Sequence, residues 1–121
     1  MMMTNKKYLG LIVLAVFLTF GCAKILWEKT SVDVINANKE LIRKNPNDAD
    51  AHYMMAFTYD RLGKYEKAIT PWKALIRIKP DHAKAHYWLG YAYEELGRDD
   101  KATVEYNEAL RIDPTLRRTF F

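Results

Sequence analysis

With one cysteine, four prolines and five glycines in 121 residues, the chain lacks the means of a disulfide-stapled or loop-rich fold. A single thiol closes no internal disulfide, so cystine pairing says nothing of the redox compartment. No nucleophile stands beside a base, no glycine-rich loop could cradle a phosphate, and no Ser/His/Asp set appears in a catalytic context, so an enzyme is not expected. Lysines and arginines are interspersed with acids, which leaves no basic stripe for nucleic acid. What is present is 50% apolar and 28% charged, which excludes disorder, and the length suits one ordinary domain.

The longest apolar run is Leu9 to Phe20, broken only by Gly10 and Thr19 and preceded by Lys6 and Lys7 without an acid. A charged start followed by a short apolar block is a signal-peptide layout. As a helix the block would be about 18 Å long, short against a hydrocarbon core of about 30 Å. Without residues 1–21 the net charge falls from +4 to +2, because two lysines and no acid leave with them.

The run ends in Leu18-Thr19-Phe20-Gly21-Cys22-Ala23. Gly21-Cys22 resembles the cleavage box of bacterial lipoproteins, although Thr19 and Phe20 depart from the residues usual there. The resemblance implies a mature N-terminus at a lipidated Cys22, no other cofactor, and a chain held in the cell envelope. By the same resemblance, Ala23 after the cysteine implies an outer membrane where one exists, facing the periplasm. The alternative is an uncleaved signal anchor extending to Ala23 before Lys24 stops it. Either way the two-lysine start places the rest of the chain outside the cytoplasmic membrane.

Beyond that segment the chain repeats itself. Pro46, Pro80 and Pro114 are spaced by 34 residues, and laying 49–82 over 83–116 pairs twelve identical residues without a gap. Among them are His52/His86, Tyr53/Tyr87, Tyr59/Tyr93, Leu62/Leu96, Gly63/Gly97, Ala68/Ala102 and Pro80/Pro114. Apolar residues at steps of three and four predict amphipathic helices over 49–62 and 83–96, each closed by a glycine able to take the left-handed conformation. Second helices are predicted over 65–78 and 99–112, ending before Pro80 and Pro114, with Asp99 and Asp100 suiting a helix N-terminus. Pro71 falls inside the first of these and is expected to kink it.

The second copy reads His86-x2-Leu89-Gly90-x2-Tyr93, Ala102-x3-Tyr106, Pro114, and the first His52-x2-Met55-Ala56-x2-Tyr59, Ala68-x3-Trp72, Pro80. Both are similar to the tetratricopeptide repeat, with histidine in place of its first aromatic. The resemblance implies an all-α superhelix of about two and a half helical hairpins. It divides the chain into a signal segment 1–21, a short tether 23–30, a lone capping helix within 31–46, repeats 49–82 and 83–116, and a tail 117–121. One repeat cannot hide its own apolar face, so the Phe120-Phe121 tail suggests that a partner or a second copy covers the C-terminal end.

The resemblance also implies a groove lined by the first helices, holding a peptide or a helix of a protein partner. Its exposed inner face would carry Tyr53, Phe57 and Asp60 from the first repeat and Tyr87, Tyr91 and Glu94 from the second, with Asp50, Arg61, Lys84 and Glu95 at the rim. Aromatic with acidic edges, it suits an apolar or basic segment. The competing reading packs Tyr53 and Tyr87 between neighbouring repeats. His82 and His86 lie four apart, but no cysteine or carboxylate cluster completes a metal set, and packing histidines are expected.

Overall fold

The computed structural model describes the backbone of residues 6–117 and the side chains of 21–117. Its elements are all helical: α1 (Lys6–Lys44), α2 (Ala49–Arg61), α3 (Tyr65–Ile78), α4 (Ala83–Glu95) and α5 (Asp99–Ile112). No strand occurs among the described residues. By internal contacts the chain divides into residues 1–32 and 33–121.

In the larger division, α2 packs on α3, α3 on α4, and α4 on α5, which is a pair of antiparallel hairpins laid in series. Each turn within a hairpin closes on a glycine at positive φ, Gly63 at 67° and Gly97 at 68°, a conformation that costs a residue with a Cβ about 1 kcal/mol. Each first helix starts on a side-chain cap. Asp48 accepts from the Ala51 amide at 3.0 Å, and His82, at the same place in the second repeat, accepts through Nδ1 from the Ala85 amide at 3.1 Å. Helix α3 continues through Pro71, which is buried in its interior.

The core runs through both hairpins. Ala56, Ala68, Trp72, Leu75, Ala85, Leu89, Ala92 and Ala102 are buried, and the small residues mark where helices meet. Gly90 shows how close the approach is: a Cβ there would lie 2.9 Å from the Tyr106 ring and 3.2 Å from the Ala102 carbonyl oxygen. Leu116, in register with Asp48 and His82, is buried as well. The Phe120-Phe121 tail, on which the expectation of a covered C-terminal end rested, lies outside the described residues.

The capping helix expected over 31–44 forms the C-terminal part of α1, with Ile35 and Asn38 buried and the Asn38 amide donating to the Val34 carbonyl at 2.8 Å. Residues 23–30, expected as a tether, are instead helical and exposed, because α1 passes through them. No glycine or proline between Cys22 and Lys44 interrupts the backbone ladder there. The side chains of the apolar run Leu9–Phe20 lie outside the described residues. Among the described residues, no helix is long and apolar enough to cross a membrane.

Candidate functional site

The first helices α2 and α4 lie side by side and join their aromatic residues in one continuous row. Tyr53 stacks on Phe57 with ring centres 6.1 Å apart, and Phe57 meets Trp88 edge-on at 5.6 Å. Trp88 in turn meets Tyr87 at 5.4 Å and Tyr91 at 5.7 Å, while Tyr91 meets Tyr65 of α3 at 5.8 Å. Helical spacing explains the row, since positions four apart share a face: Tyr53 with Phe57, and Tyr87 with Tyr91. Its rings are half-buried, fixed against one another and still open on one side. Edge-to-face pairs of this kind add about 0.5–1.5 kcal/mol each beyond area burial and hold the rings in place.

Four of the six residues expected on this face, Tyr53, Phe57, Tyr87 and Tyr91, therefore come together. Tyr53 and Tyr87, which the competing reading packed between neighbouring repeats, also pack within their own repeats, Tyr53 edge-on against Trp72 at 5.2 Å and Tyr87 tilted against Tyr106 at 5.4 Å. Trp88 is the residue sequence reasoning missed. It occupies the position of Met54, so the repeat alignment gave it no mark, yet it bridges the two helices.

Asp60 is a correction. Expected on the open inner face, it is 7% exposed, and its Oδ2 accepts the Trp72 indole N–H at 2.7 Å. Its other oxygen has no hydrogen-bond partner among the described residues. Burial pushes its carboxyl up to about 7, partly opposed by the Trp72 hydrogen bond. An indole twelve residues downstream draws the carboxylate inward, something the spacing along α2 could not reveal. Glu94 does stay exposed, and it accepts the Tyr106 hydroxyl at 2.6 Å. The Tyr106 hydroxyl is pushed upward, first by burial and then by Glu94, whereas Tyr91 is raised first by its hydrogen bond with Tyr65 and then by burial. Asp50, Arg61, Lys84 and Glu95 are exposed around the row. The arrangement is thus an aromatic face with acids at one end, suited to holding a side chain by contact and charge.

The histidines are occupied by structure. His52 Nε2 lies 2.9 Å from the Pro46 carbonyl oxygen, and His86 Nε2 lies 3.0 Å from that of Pro80. His86 Nδ1 also meets Glu105 at 2.7 Å, so both its ring nitrogens face protein acceptors. Burial lowers the pKa of His82, which keeps its Nδ1 available as the cap of α4. Among the described residues, no group of three or more His, Cys, Asp or Glu could hold a metal ion. Cys22, the expected lipid carrier, is exposed on α1.

Comparison with known proteins agrees with this architecture. No curated protein matches the chain. Residues 59–97 match a family described as TPR repeat, and residues 37–70 and 83–116 each match one described as Tetratricopeptide repeat. Among solved structures, a crystal structure of MamA is 33% identical at a TM-score of 0.64, over 69% of this chain and 49% of that one. A structure of MamA AMB-1 has a TM-score of 0.67 at 21% identity, covering 71% of this chain and 51% of that chain, and at that identity shows the fold alone. The chain spans about half the length of these structures. The family matches run without a break from residue 37 to residue 116, more than half of the sequence, over the two hairpins just described; the chain belongs to the tetratricopeptide repeat family.

Proposed function

We propose that this protein is a membrane-anchored adaptor or assembly factor of the bacterial cell envelope, which holds a protein partner on the aromatic face of α2 and α4. The observation that carries the reading is the ordered row Tyr53–Phe57–Trp88–Tyr91, half-buried and therefore pre-formed, with the exposed acids Glu94 and Glu95 at its end. Rigid aromatics lose little conformational entropy on binding and commonly dominate interface energetics. A peptide or helix offering apolar side chains and a basic one fits this chemistry. The similarity to MamA supports a scaffold of stacked helices.

Anchoring follows from the N-terminal segment: lipid on Cys22 after removal of residues 1–21, with the repeats facing the periplasm if the organism has an outer membrane. Confinement to a membrane raises the effective concentration of a partner there, so a weak face suffices. A second reading has support in the unbroken helix from Lys6 to Lys44: the N-terminal helix is retained as an anchor and the repeats are a fixed subunit of a larger membrane complex. Mass spectrometry of the native protein separates the two, by an acylated N-terminal Cys22 or an intact Lys6-Lys7 start. The binding face is tested by co-purification from detergent-solubilised membranes. Replacing Tyr87 and Tyr91 together by alanine is expected to abolish partner capture while circular dichroism stays helical. Unchanged capture by the folded variant would dismiss the face.

A further inference from the structure

Asp60 has one acceptor more than the fold uses. Its Oδ2 takes the Trp72 indole N–H at 2.7 Å, and Oδ1, buried with it, meets no hydrogen-bond donor among the described residues. No ion pair among them includes Asp60, and the influences on its carboxyl are burial and the Trp72 bond. An asparagine would serve the indole without a charge to bury, so holding Trp72 does not account for a carboxylate here. A carboxylate short of donors away from water attracts a cation strongly, because the bond it still lacks is a charge-assisted one.

The position of Asp60 in α2 shows from which side that cation comes. At about 100° per residue, Tyr53, Phe57 and Asp60 fall within an arc of about 60°, and Asp60 lies about 4.5 Å beyond Phe57 along the helix axis. Tyr53 meets Trp72 edge-on at 5.2 Å, and Trp72 is the donor to Asp60, so the carboxylate belongs to the floor of the aromatic face. A guanidinium suits such a place. It stacks on aromatic rings, is more weakly hydrated than an ammonium, and can spend one of its five N–H groups on a single free oxygen. Glu94, at the same position of the second repeat, is exposed and already holds the Tyr106 hydroxyl, so it attracts basic groups in general and selects none.

We propose that Asp60 is the specificity residue of the aromatic face, taking an arginine side chain of the protein partner on Oδ1 while that side chain lies against the rings of Tyr53 and Phe57. The proposal rests on the adaptor reading above and names the side chain by which the partner is recognised. Because Asp60 is 7% exposed, Oδ1 is reached through a turn of its own side chain or of the Phe57 ring, a change of rotamer that interfaces commonly make without moving the backbone. Apolar contact with the row therefore comes first, and the buried charge then separates an arginine from a neutral side chain of the same shape.

The test uses the full chain in detergent micelles with isotope-labelled tryptophan, so that nuclear magnetic resonance reads each indole N–H. Trp27→Phe and Trp88→Phe assign the signals and leave that of Trp72 by elimination. Two peptides are titrated, acetyl-Leu-Arg-Leu-amide and the same peptide with citrulline, which has the shape of arginine without its charge. The titration is made at about pH 8, above the value of about 7 to which burial raises the Asp60 carboxyl. Expected is that both peptides move the Trp88 signal, that the arginine peptide alone moves that of Trp72, and that it binds at least about tenfold more tightly. In Asp60→Asn, which keeps an acceptor for Trp72, the two peptides should bind alike while circular dichroism stays helical. Equal binding of the two peptides by the unsubstituted chain overturns the proposal and leaves the aromatic face intact; this comparison needs no variant to fold. An arginine preference that persists in Asp60→Asn assigns the cation to the exposed acids and likewise overturns it. If neither peptide moves the Trp88 signal, the proposal and the face fall together.

Discussion

The two repeats solve the same geometrical problem with different side chains. At the position that accepts from the second helix the first repeat has Asp60, bonded to Trp72 at 2.7 Å, and the second has Glu94, bonded to Tyr106 at 2.6 Å. The bonds span the same twelve residues, yet Asp60 and Trp72 are buried while Glu94 is exposed and Tyr106 half-buried. Where the second repeat pairs His86 with Glu105, the first has Pro71 in the place of that acid, and its His52 Nδ1 is left without a partner among the described residues. Ile69, buried in α3, corresponds to Thr103, exposed on α5. A tandem repeat fixes backbone and register, and depth is then set position by position: at these positions Asp60 and α3 are furnished as an interior, and Glu94 and α5 as a surface.

Substitutions at paired positions can break this contrast. The largest effect is expected at Trp72, 0% exposed. Trp72→Ala should cost about 4 kcal/mol by cavity formation and by leaving Asp60 without its donor, against about 1–2 for Tyr106→Ala. Urea denaturation followed by circular dichroism measures both, and equal losses would erase the distinction between interior and end.

Next in size is the ionisation of Asp60. Its carboxyl is raised in the folded state from an ordinary 3.8 to about 7, so the unfolded chain gives up this proton first as pH rises. Stability should therefore fall by an amount on the order of 4 kcal/mol from about pH 4 to about pH 7 and then level off. Asp60→Asn, which keeps an acceptor for Trp72 and cannot ionise, should flatten that window in pH-dependent urea midpoints. A wild-type chain with no fall relative to the variant would show that Asp60 has reached solvent.

A smaller effect of opposite sign is expected from Pro71→Glu, which copies the second repeat into the first. It returns a backbone donor to the middle of α3 and offers His52 the partner that His86 has, so a gain of about 1–2 kcal/mol in urea stability is expected. A loss would mean that the pocket around Pro71 admits no carboxylate. The smallest effect belongs to Gly90→Ala. Alanine gains up to about 1 kcal/mol of helix propensity, but its Cβ would press on the Tyr106 ring, which must move. The two should nearly cancel in thermal unfolding, and a loss above about 2 kcal/mol would show that Tyr106 is fixed by its bond to Glu94.

Helix limits were legible almost to the residue over 49–112, because glycines, prolines and a 3–4 spacing of apolar residues act locally. The aromatic face was legible as Tyr53, Phe57, Tyr87 and Tyr91 for the same reason. Trp88 escaped because its alignment partner is Met54, and nothing in a one-dimensional comparison marks an odd aromatic as a bridge. Asp60 escaped because a carboxylate on an amphipathic helix reads as solvated until a donor is found for it. Residues 23–30 were expected as a tether from their place between two recognised segments, whereas their composition contains no breaker and α1 runs through them.

By itself, then, the sequence determined that two alike helical hairpins follow one another, since helix periodicity, positive-φ glycine and proline stops need only near neighbours in the chain. Tertiary structure alone decided which of two matched acids is buried and which stays in water, and which aromatic joins α2 to α4. Those outcomes depend on the volume and hydrogen-bond donors that a different helix brings to the same point in space, and no alignment of one repeat on the other contains them.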